Sequence, residues 1–163
     1  MRIFAALIAL AITGSAASAT TRATRIHVDK SERKLLVYSN DQLIATYPVA
    51  LGRTPLGHKT QEGDKKTPEG KYVLDYKNPN SAYFLSIHVS YPNSADKQQA
   101  RRRGVSPGGD IMIHGQPGDL KFRKYLQTYP GLDWTDGCIA LSDANMKALW
   151  DMVRVPVPIE ITP

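Results

Sequence analysis

At 163 residues the chain is long enough for one domain with a real core, and 42% hydrophobic against 22% charged residues excludes wholesale disorder. A formal charge of +6 suits solubility, or attraction to an anionic polymer or surface. The single cysteine excludes an internal disulfide.

Arg2, an apolar run from Ile3 to Ile12 and the small residues Ala17-Ser18-Ala19 form the n-region, h-region and Ala-x-Ala site of a secretory signal. The run is too short to span a bilayer comfortably, and no other stretch is suited to it. Residues 1–19 are therefore expected to be removed, with a catalytic-size domain over 24–162 and no stable membrane insertion afterwards. Loss of Arg2 leaves 20 Lys and Arg against 15 Asp and Glu. An exported basic protein meets an anionic wall polymer more readily than nucleic acid, and no aromatic interleaving supports single-stranded nucleic-acid binding.

From Arg25 the pattern is β-like. Ile26-His27-Val28, Lys34 to Tyr38 and Leu43 to Leu51 are runs separated by polar turns, as in hairpins. Gly52 to Gly70 is a long irregular segment rich in Gly, Pro and Lys, functional or mobile by its length, and without a phosphate-loop pattern. Lys71 to Tyr76 and Tyr83 to Tyr91 are further predicted strands; in the second, His88 shares a face with Phe84, Ser86 and Ser90, expected to meet water. Ser94 to Arg103 is helix-compatible, with Asn93 or Ser94 as N-cap and three arginines at the negative end of its dipole.

Asp110 to His114 is a short buried-type strand, and Asp119 to Thr128 is helical until Tyr129-Pro130-Gly131 breaks it. The strongest helix signal follows Ser142, a predicted N-cap: Met146, Leu149, Trp150 and Val153 fall at i, i+3, i+4 and i+7. Val155 to Thr162 is a last strand, placed at a sheet edge by Pro156 and Pro158. The sum is a mostly β domain with a few short helices.

Chemistry concentrates at Asp133 to Leu141. Cys138 follows Gly137 in a turn, and a free thiol in an oxidising compartment is easier to understand if it is a nucleophile; the alternative is a buried, inert thiol. His114, ending its strand before Gly115, is the best base for it. Gly137 and Cys138 amides are candidates for an oxyanion hole, Gly115 leaves room for a substrate backbone, and Asp133 or Asp136 could orient a ring nitrogen or bind a substrate amine. A zinc site from Cys138, His114, His88 and Asp136 is a rival chemistry, although the spacings fit no short zinc signature. A non-catalytic cell-wall-binding domain with an incidental cysteine is the rival of another class.

Ile113-His114-Gly115 followed by Thr135-Asp136-Gly137-Cys138-Ile139-Ala140-Leu141 resembles the catalytic motif of the L,D-transpeptidases, the YkuD-like domain. The Gly63-to-Gly70 stretch resembles that family's segment before a strand. The resemblance implies an L,D-transpeptidase-like β-sandwich or barrel, with peptidoglycan stem peptides as partners in the periplasm or cell wall and roles in wall biogenesis and cell shape. Cys138 would attack the carbonyl at the L-centre of a diamino acid and expel a D-amino acid, with His114 as general base and acid. Gly115, Gly137, Asp136 and Thr135 would be substrate-binding or oxyanion residues. The thioester would pass to an amine, or to water in an L,D-specific hydrolase. No cofactor and no metal are implied.

Two departures from the family pattern matter. Asp136 stands where histidine is common, and Ala140 where arginine or another polar residue is common. Arg53, Lys65, Lys66 and Arg123 are the candidates to supply the missing charge. The Asp-Gly-Cys-Ile-Ala motif is more like a subgroup that includes enzymes releasing a wall-linked lipoprotein.

Overall fold

The computed structural model describes residues 21–163; the expected signal segment lies outside them, apart from the residues that follow it. In chain order the elements are β1 (Arg25–Asp29), β2 (Lys34–Ser39), β3 (Gln42–Pro48), β4 (Gly70–Ser81), β5 (Phe84–Val89), α1 (Ser94–Arg103), β6 (Met112–His114), α2 (Leu120–Thr128), β7 (Ile139–Ala140), α3 (Asp143–Met152) and β8 (Val157–Thr162). All eight strands join one mixed sheet in the order β3-β2-β1-β8-β4-β5-β6-β7. Alternation decides which way each strand faces: Ile26 and Val28, Leu35 and Val37, and Val157, Ile159 and Ile161 are buried while their neighbours are not.

The sheet nearly closes on itself. Beyond the end of β3, Ala50 exchanges two hydrogen bonds with Ala140 of the opposite edge strand β7, at 2.9 and 2.8 Å, and Gly52 bridges Thr135. Thus the expected sandwich or barrel takes the form of a single curled sheet, and curling brings the segment after β3 beside the cysteine turn. The interior is filled by strand residues together with Met146, Leu149 and Val153 of α3. That helix begins at Ser142, whose side chain accepts from Asn145 N–H. In α1 the N-cap is Asn93, with a reciprocal bond from Asp96, and Gly104 closes the helix in a left-handed conformation.

The last strand corrects the edge expectation. β8 is central, parallel to β1 and antiparallel to β4. Its prolines are tolerated for a local reason. Pro156 precedes the strand, and Pro158 pairs with Val73, whose N–H and C=O are both taken by Ser90. The ladder with β1 starts one residue later, at Ile159. The missing N–H therefore falls where no ladder bond is needed.

The segment from 52 to 70 is irregular but firmly held. Asp64 accepts from Lys59 Nζ and from the Thr60, Gln61 and Lys66 amides at 2.7–3.1 Å. Burial would raise its carboxyl, yet these donors outweigh burial and hold it at about 2. Buried Lys30 reaches across to Gly57 O, Thr67 O and Glu69.

Asp133 pins the closure. Its Oδ1 accepts from Leu51 N–H at 2.9 Å and its Oδ2 pairs with Arg33 at 2.9 Å. This carboxylate therefore does not orient the histidine ring or await a substrate amine. Asp133→Ala leaves the buried Leu51 amide without a partner, a loss of about 1–3 kcal/mol. Urea unfolding should show a lowered midpoint, with Asp133→Asn losing less because its amide oxygen still accepts; a wild-type midpoint for Asp133→Ala would show that closure does not rest here.

Candidate active site

The register of β6 and β7 assembles the site. Ile113 pairs with Ile139 and His114 with Ala140, in parallel. Paired residues share a face and side chains alternate, so Ile113 and Ile139 enter the core while Met112, His114 and the preceding Cys138 turn toward the opposite side. Cys138 and His114 both line a cavity of about 390 Å³. On the far side of β6, Ser86 of β5 pairs with His114 and lines the same cavity.

His114 is held by its backbone and its neighbours. Its ring Nδ1–H donates to the Gly115 carbonyl at 2.7 Å, which leaves Nε2 as the basic nitrogen. Tyr83 lies against the ring at 4.6 Å between centroids and Trp134 meets it edge-on at 5.5 Å. Phe122 of α2 in turn packs on Trp134 at 5.6 Å. This aromatic wall leaves His114 4% exposed, and burial pushes its imidazole below the ordinary value, against the Gly115 bond, which raises it.

Cys138 is half-buried. Its sulfur accepts from Met112 N–H at 3.4 Å, and its S–H donates weakly to Asp110 O at 3.6 Å. Burial pushes the thiol up; the Met112 bond opposes this, Asp110 and Asp136 add to it, and Lys59 counters it. Both groups thus rest neutral, a thiol and an imidazole lining the same cavity. The Met112 amide is placed to meet negative charge on sulfur once the proton leaves.

The two site glycines work differently from expectation. A Cβ on Gly115 would lie 2.7 Å from Asp143 Oδ1 and 3.0 Å from both Phe84 Cβ and Tyr83 O. The room there is filled by the protein itself rather than left for a substrate backbone. Gly115 N–H is also engaged, by Tyr83 and Leu85 carbonyls. Gly137 has φ +130°, and a Cβ on it would lie 2.7 Å from Lys66 O. Its N–H donates to Thr135 Oγ1 at 3.1 Å, so an oxyanion would have to exchange for that bond. Thr135 is buried, and its hydroxyl donates on to Cys138 O at 2.7 Å. It ties the turn together beneath the nucleophile. No protein acceptor engages Cys138 N–H among the described residues, which leaves that amide available to an oxyanion.

Of the four candidates for the missing charge, Arg53 alone lines the cavity. It forms an ion pair with Asp136, also a cavity residue. Arg123 is taken by Asp143 and by the Pro117 carbonyl, which fixes α2 to α3. The Lys65 and Lys66 carbonyls pack against Gly52 and Gly137, and their side chains do not line the cavity. His88 also lies apart: it stacks on Tyr76 at 4.7 Å and bonds Asp75 at 2.7 Å, instead of meeting water freely. Among the described residues no three His, Cys, Asp or Glu side chains converge as metal ligands. Reading the sequence missed Ser86, Tyr83 and Trp134 as cavity residues; only strand pairing across positions 86 and 114 reveals the first.

The model of the L,D-transpeptidase catalytic domain family, YkuD, matches residues 23–161. YafK of Escherichia coli, provisionally named an L,D-transpeptidase, is 32% identical over 114 residues, 66% of this chain and 44% of that protein. The crystal structure of Pgp2 from Campylobacter jejuni, described as a helical cell shape determining protein, superposes with a TM-score of 0.64 at 27% identity, over 86% of this chain and 48% of that one. An L,D-transpeptidase from Mycobacterium smegmatis shares the fold, with a TM-score of 0.55 at 17% identity, over 85% of this chain and 58% of that one. The chain spans about half the length of the first two relatives.

A lowered imidazole pKa keeps His114 a free base to lower pH, and a raised thiol pKa keeps Cys138 protonated to higher pH. The rate of Cys138 alkylation by iodoacetamide should therefore keep rising beyond about pH 8.5, the ordinary thiol value. The acidic limb of turnover should lie below about 6.5, the ordinary histidine value. A profile already flat at neutral pH, as a resting thiolate–imidazolium pair gives, would contradict the neutral dyad.

Proposed function

This chain belongs to the L,D-transpeptidase catalytic domain family, and on that premise we propose that it is an exported, cysteine-dependent acyltransferase acting on peptidoglycan stem peptides. The observation that carries the reading is the β6–β7 register, which sets Cys138 and His114 on one face of one cavity while Gly115 O fixes the histidine tautomer. A thiol and an imidazole so arranged form an acyl-transfer dyad.

The steps follow from the positions. A stem peptide presents to Cys138 the carbonyl at the L-centre of its diamino acid. His114 Nε2 takes the thiol proton as sulfur attacks, and Met112 N–H favours the charge developing on sulfur before the bond forms. The carbonyl oxygen becomes an oxyanion beside the Cys138 amide. The imidazolium then gives its proton to the nitrogen of the departing D-amino acid, so the C–N bond breaks and a thioester remains. His114, neutral again, deprotonates the second nucleophile. That nucleophile adds to the thioester carbonyl, the C–S bond breaks, and the imidazolium returns its proton to the Cys138 sulfur. An amine yields a cross-link or an attached protein, and water yields a trimmed stem. Where the amine expelled in the first half belongs to a wall-linked protein, that protein is released. The cationic leader at Met1–Ala19 supports export, and the name of Pgp2 supports a role in cell shape.

Cys138→Ala is expected to abolish product from purified muropeptides, a loss of at least about 1,000-fold, with an unchanged thermal transition. Mass spectrometry of the products separates the outcomes. Exchange of the D-amino acid for an acceptor amine, the mass of the one lost and of the other gained, marks transfer, and exchange of the D-amino acid for water marks hydrolysis. Wall binding that survives Cys138→Ala, with no product from wild type, would replace catalysis by the binding-domain reading.

A further inference from the structure

One buried polar group in the cavity has no task in the chemistry so far, the hydroxyl of Ser86. Ser86 is 3% exposed and lines the cavity together with Cys138 and His114. Its neighbours Leu85 and Ile87 pack into the core, so its side chain takes the opposite face, which is the cavity's. A serine hydroxyl carries one donor and two acceptor sites. Among the described residues no sealed side-chain oxygen or nitrogen lacks a hydrogen bond. Ser86 Oγ bonds no protein group, so it opens on the cavity.

Strand pairing fixes where this oxygen lies. Ser86 stands opposite His114 in the antiparallel β5–β6 ladder. Val89 N–H donates to Ile111 O at 2.9 Å, and Gly115 N–H to Leu85 O at 3.2 Å, which marks hydrogen-bonded pairs at 89–111 and 85–115. Such pairs alternate with non-hydrogen-bonded ones, so Ser86 and His114 form one of the latter, with Cα atoms about 4.5 Å apart and side chains close. The other flank of His114 belongs to β7, the strand into which Cys138 leads. The imidazole therefore stands between a thiol-bearing flank and a hydroxyl-bearing one. Charge gathers on the first: Asp110 is bonded to the thiol through its carbonyl, and Asp136, paired with Arg53, lies two residues before it. The lining residues of the second, Ser81, Tyr83 and Ser86, carry none.

Resting on the proposed acyl transfer, we infer that Ser86 Oγ accepts the N–H of the scissile amide and so turns that nitrogen's lone pair toward His114 Nε2. Nδ1–H is spent on Gly115 O, so the proton that the reaction moves travels on Nε2. An amide nitrogen has no free lone pair until its carbonyl is attacked. In the tetrahedral intermediate it carries two carbons, one hydrogen and one lone pair. Only with the lone pair at the imidazolium can the proton cross, the C–N bond break and the thioester remain. An acceptor that holds the hydrogen selects that orientation. The second half retraces the path. An attacking amine places one N–H on Ser86 Oγ, gives its other proton to His114 Nε2 and aims its lone pair at the thioester carbon. Water, with two O–H groups, fits the same two partners. No bond to Ser86 forms or breaks.

Two synthetic donors that differ at one position test this: a stem ending in a D-amino acid, and its ester analogue, from which a D-hydroxy acid leaves through oxygen. The leaving oxygen has no hydrogen to give Ser86. Ser86→Ala should lower kcat/KM for release of the D-amino acid at least about 10-fold, and leave release of the hydroxy acid within about 2-fold. The substitution removes one oxygen that bonds no protein group. Both rates are read on one preparation, so any misfolded fraction lowers them alike and cancels in the amide-to-ester ratio. A ratio unchanged from wild type overturns the inference, whether both rates fall, as a merely structural Ser86 would give, or neither does. Release of neither product by wild type, with no thioester on Cys138, overturns acyl transfer and this inference together.

Discussion

The structure depends on one close approach. The backbone carbonyls of Lys65 and Lys66 lie against Gly52 and Gly137, where a Cβ would stand only 2.2 and 2.7 Å from them. No side chain fits either place, and Gly137 at φ +130° also has a backbone that other residues rarely adopt. Asp64 makes this contact rigid by gathering four donors from the same segment, and Lys65 itself sits at a positive φ of 58°. The nucleophile's turn is thus supported from beneath by a strut from residues 52–70. The glycine before Cys138 serves that strut first, and the freedom of the turn second.

From this support the electrostatics follow. With the turn fixed, the thiol lies under the Met112 amide and within the closed side of the barrel, where burial disfavours both a thiolate and an imidazolium. A neutral thiol beside a neutral imidazole is a weak nucleophile at rest. It is also a poor target for oxidants, which attack thiolates. A lone thiol so protonated resists oxidation without a partner cysteine, and the aromatic wall of Tyr83, Trp134 and Phe122 encloses the histidine beside its cavity.

Local signals in the sequence carried far, and non-local ones did not. Alternation at Ile26, Val28, Leu35 and Val37 is a property of each strand alone, as is the 3.6-residue spacing of Met146, Leu149 and Val153 behind Ser142. The cysteine and the histidine stood out as candidates because their residue types bear chemistry, and they line one cavity. The central place of β8 was not legible, because Pro158 is tolerated only through Ser90, just past the end of β5, bonding both backbone groups of Val73. Gly115 read as space for a ligand, yet Phe84, Tyr83 and Asp143, from distant segments, fill that space. Asp133 read as site chemistry because it is close in sequence to Cys138, whereas its partners Arg33 and Leu51 are roughly 80–100 residues away. Contacts between segments far apart in the sequence decide all three, and such contacts have no local signature.

Ala140 shows how closure bears on recognition. Its N–H and C=O are both bonded to Ala50, its partner across the sheet is His114, and it is 2% exposed. Two alanines facing one another let the barrel's edges meet closely. A long charged side chain at 140 would enter a second cavity, lined by Val49, Ala50, Gln116 and Leu141, rather than the one that Cys138 and His114 share. In this chain the cavity's cation comes instead from Arg53, immediately after Gly52. The segment that braces the cysteine turn therefore also presents a cation to the cavity, and the two are coupled through backbone hydrogen bonds, Arg53 N–H to Thr135 O and Thr135 N–H to Leu51 O. A substitution that shifts the strut moves the guanidinium and the sulfur together, and its effects on binding and on turnover will not separate as those of two independent sites would.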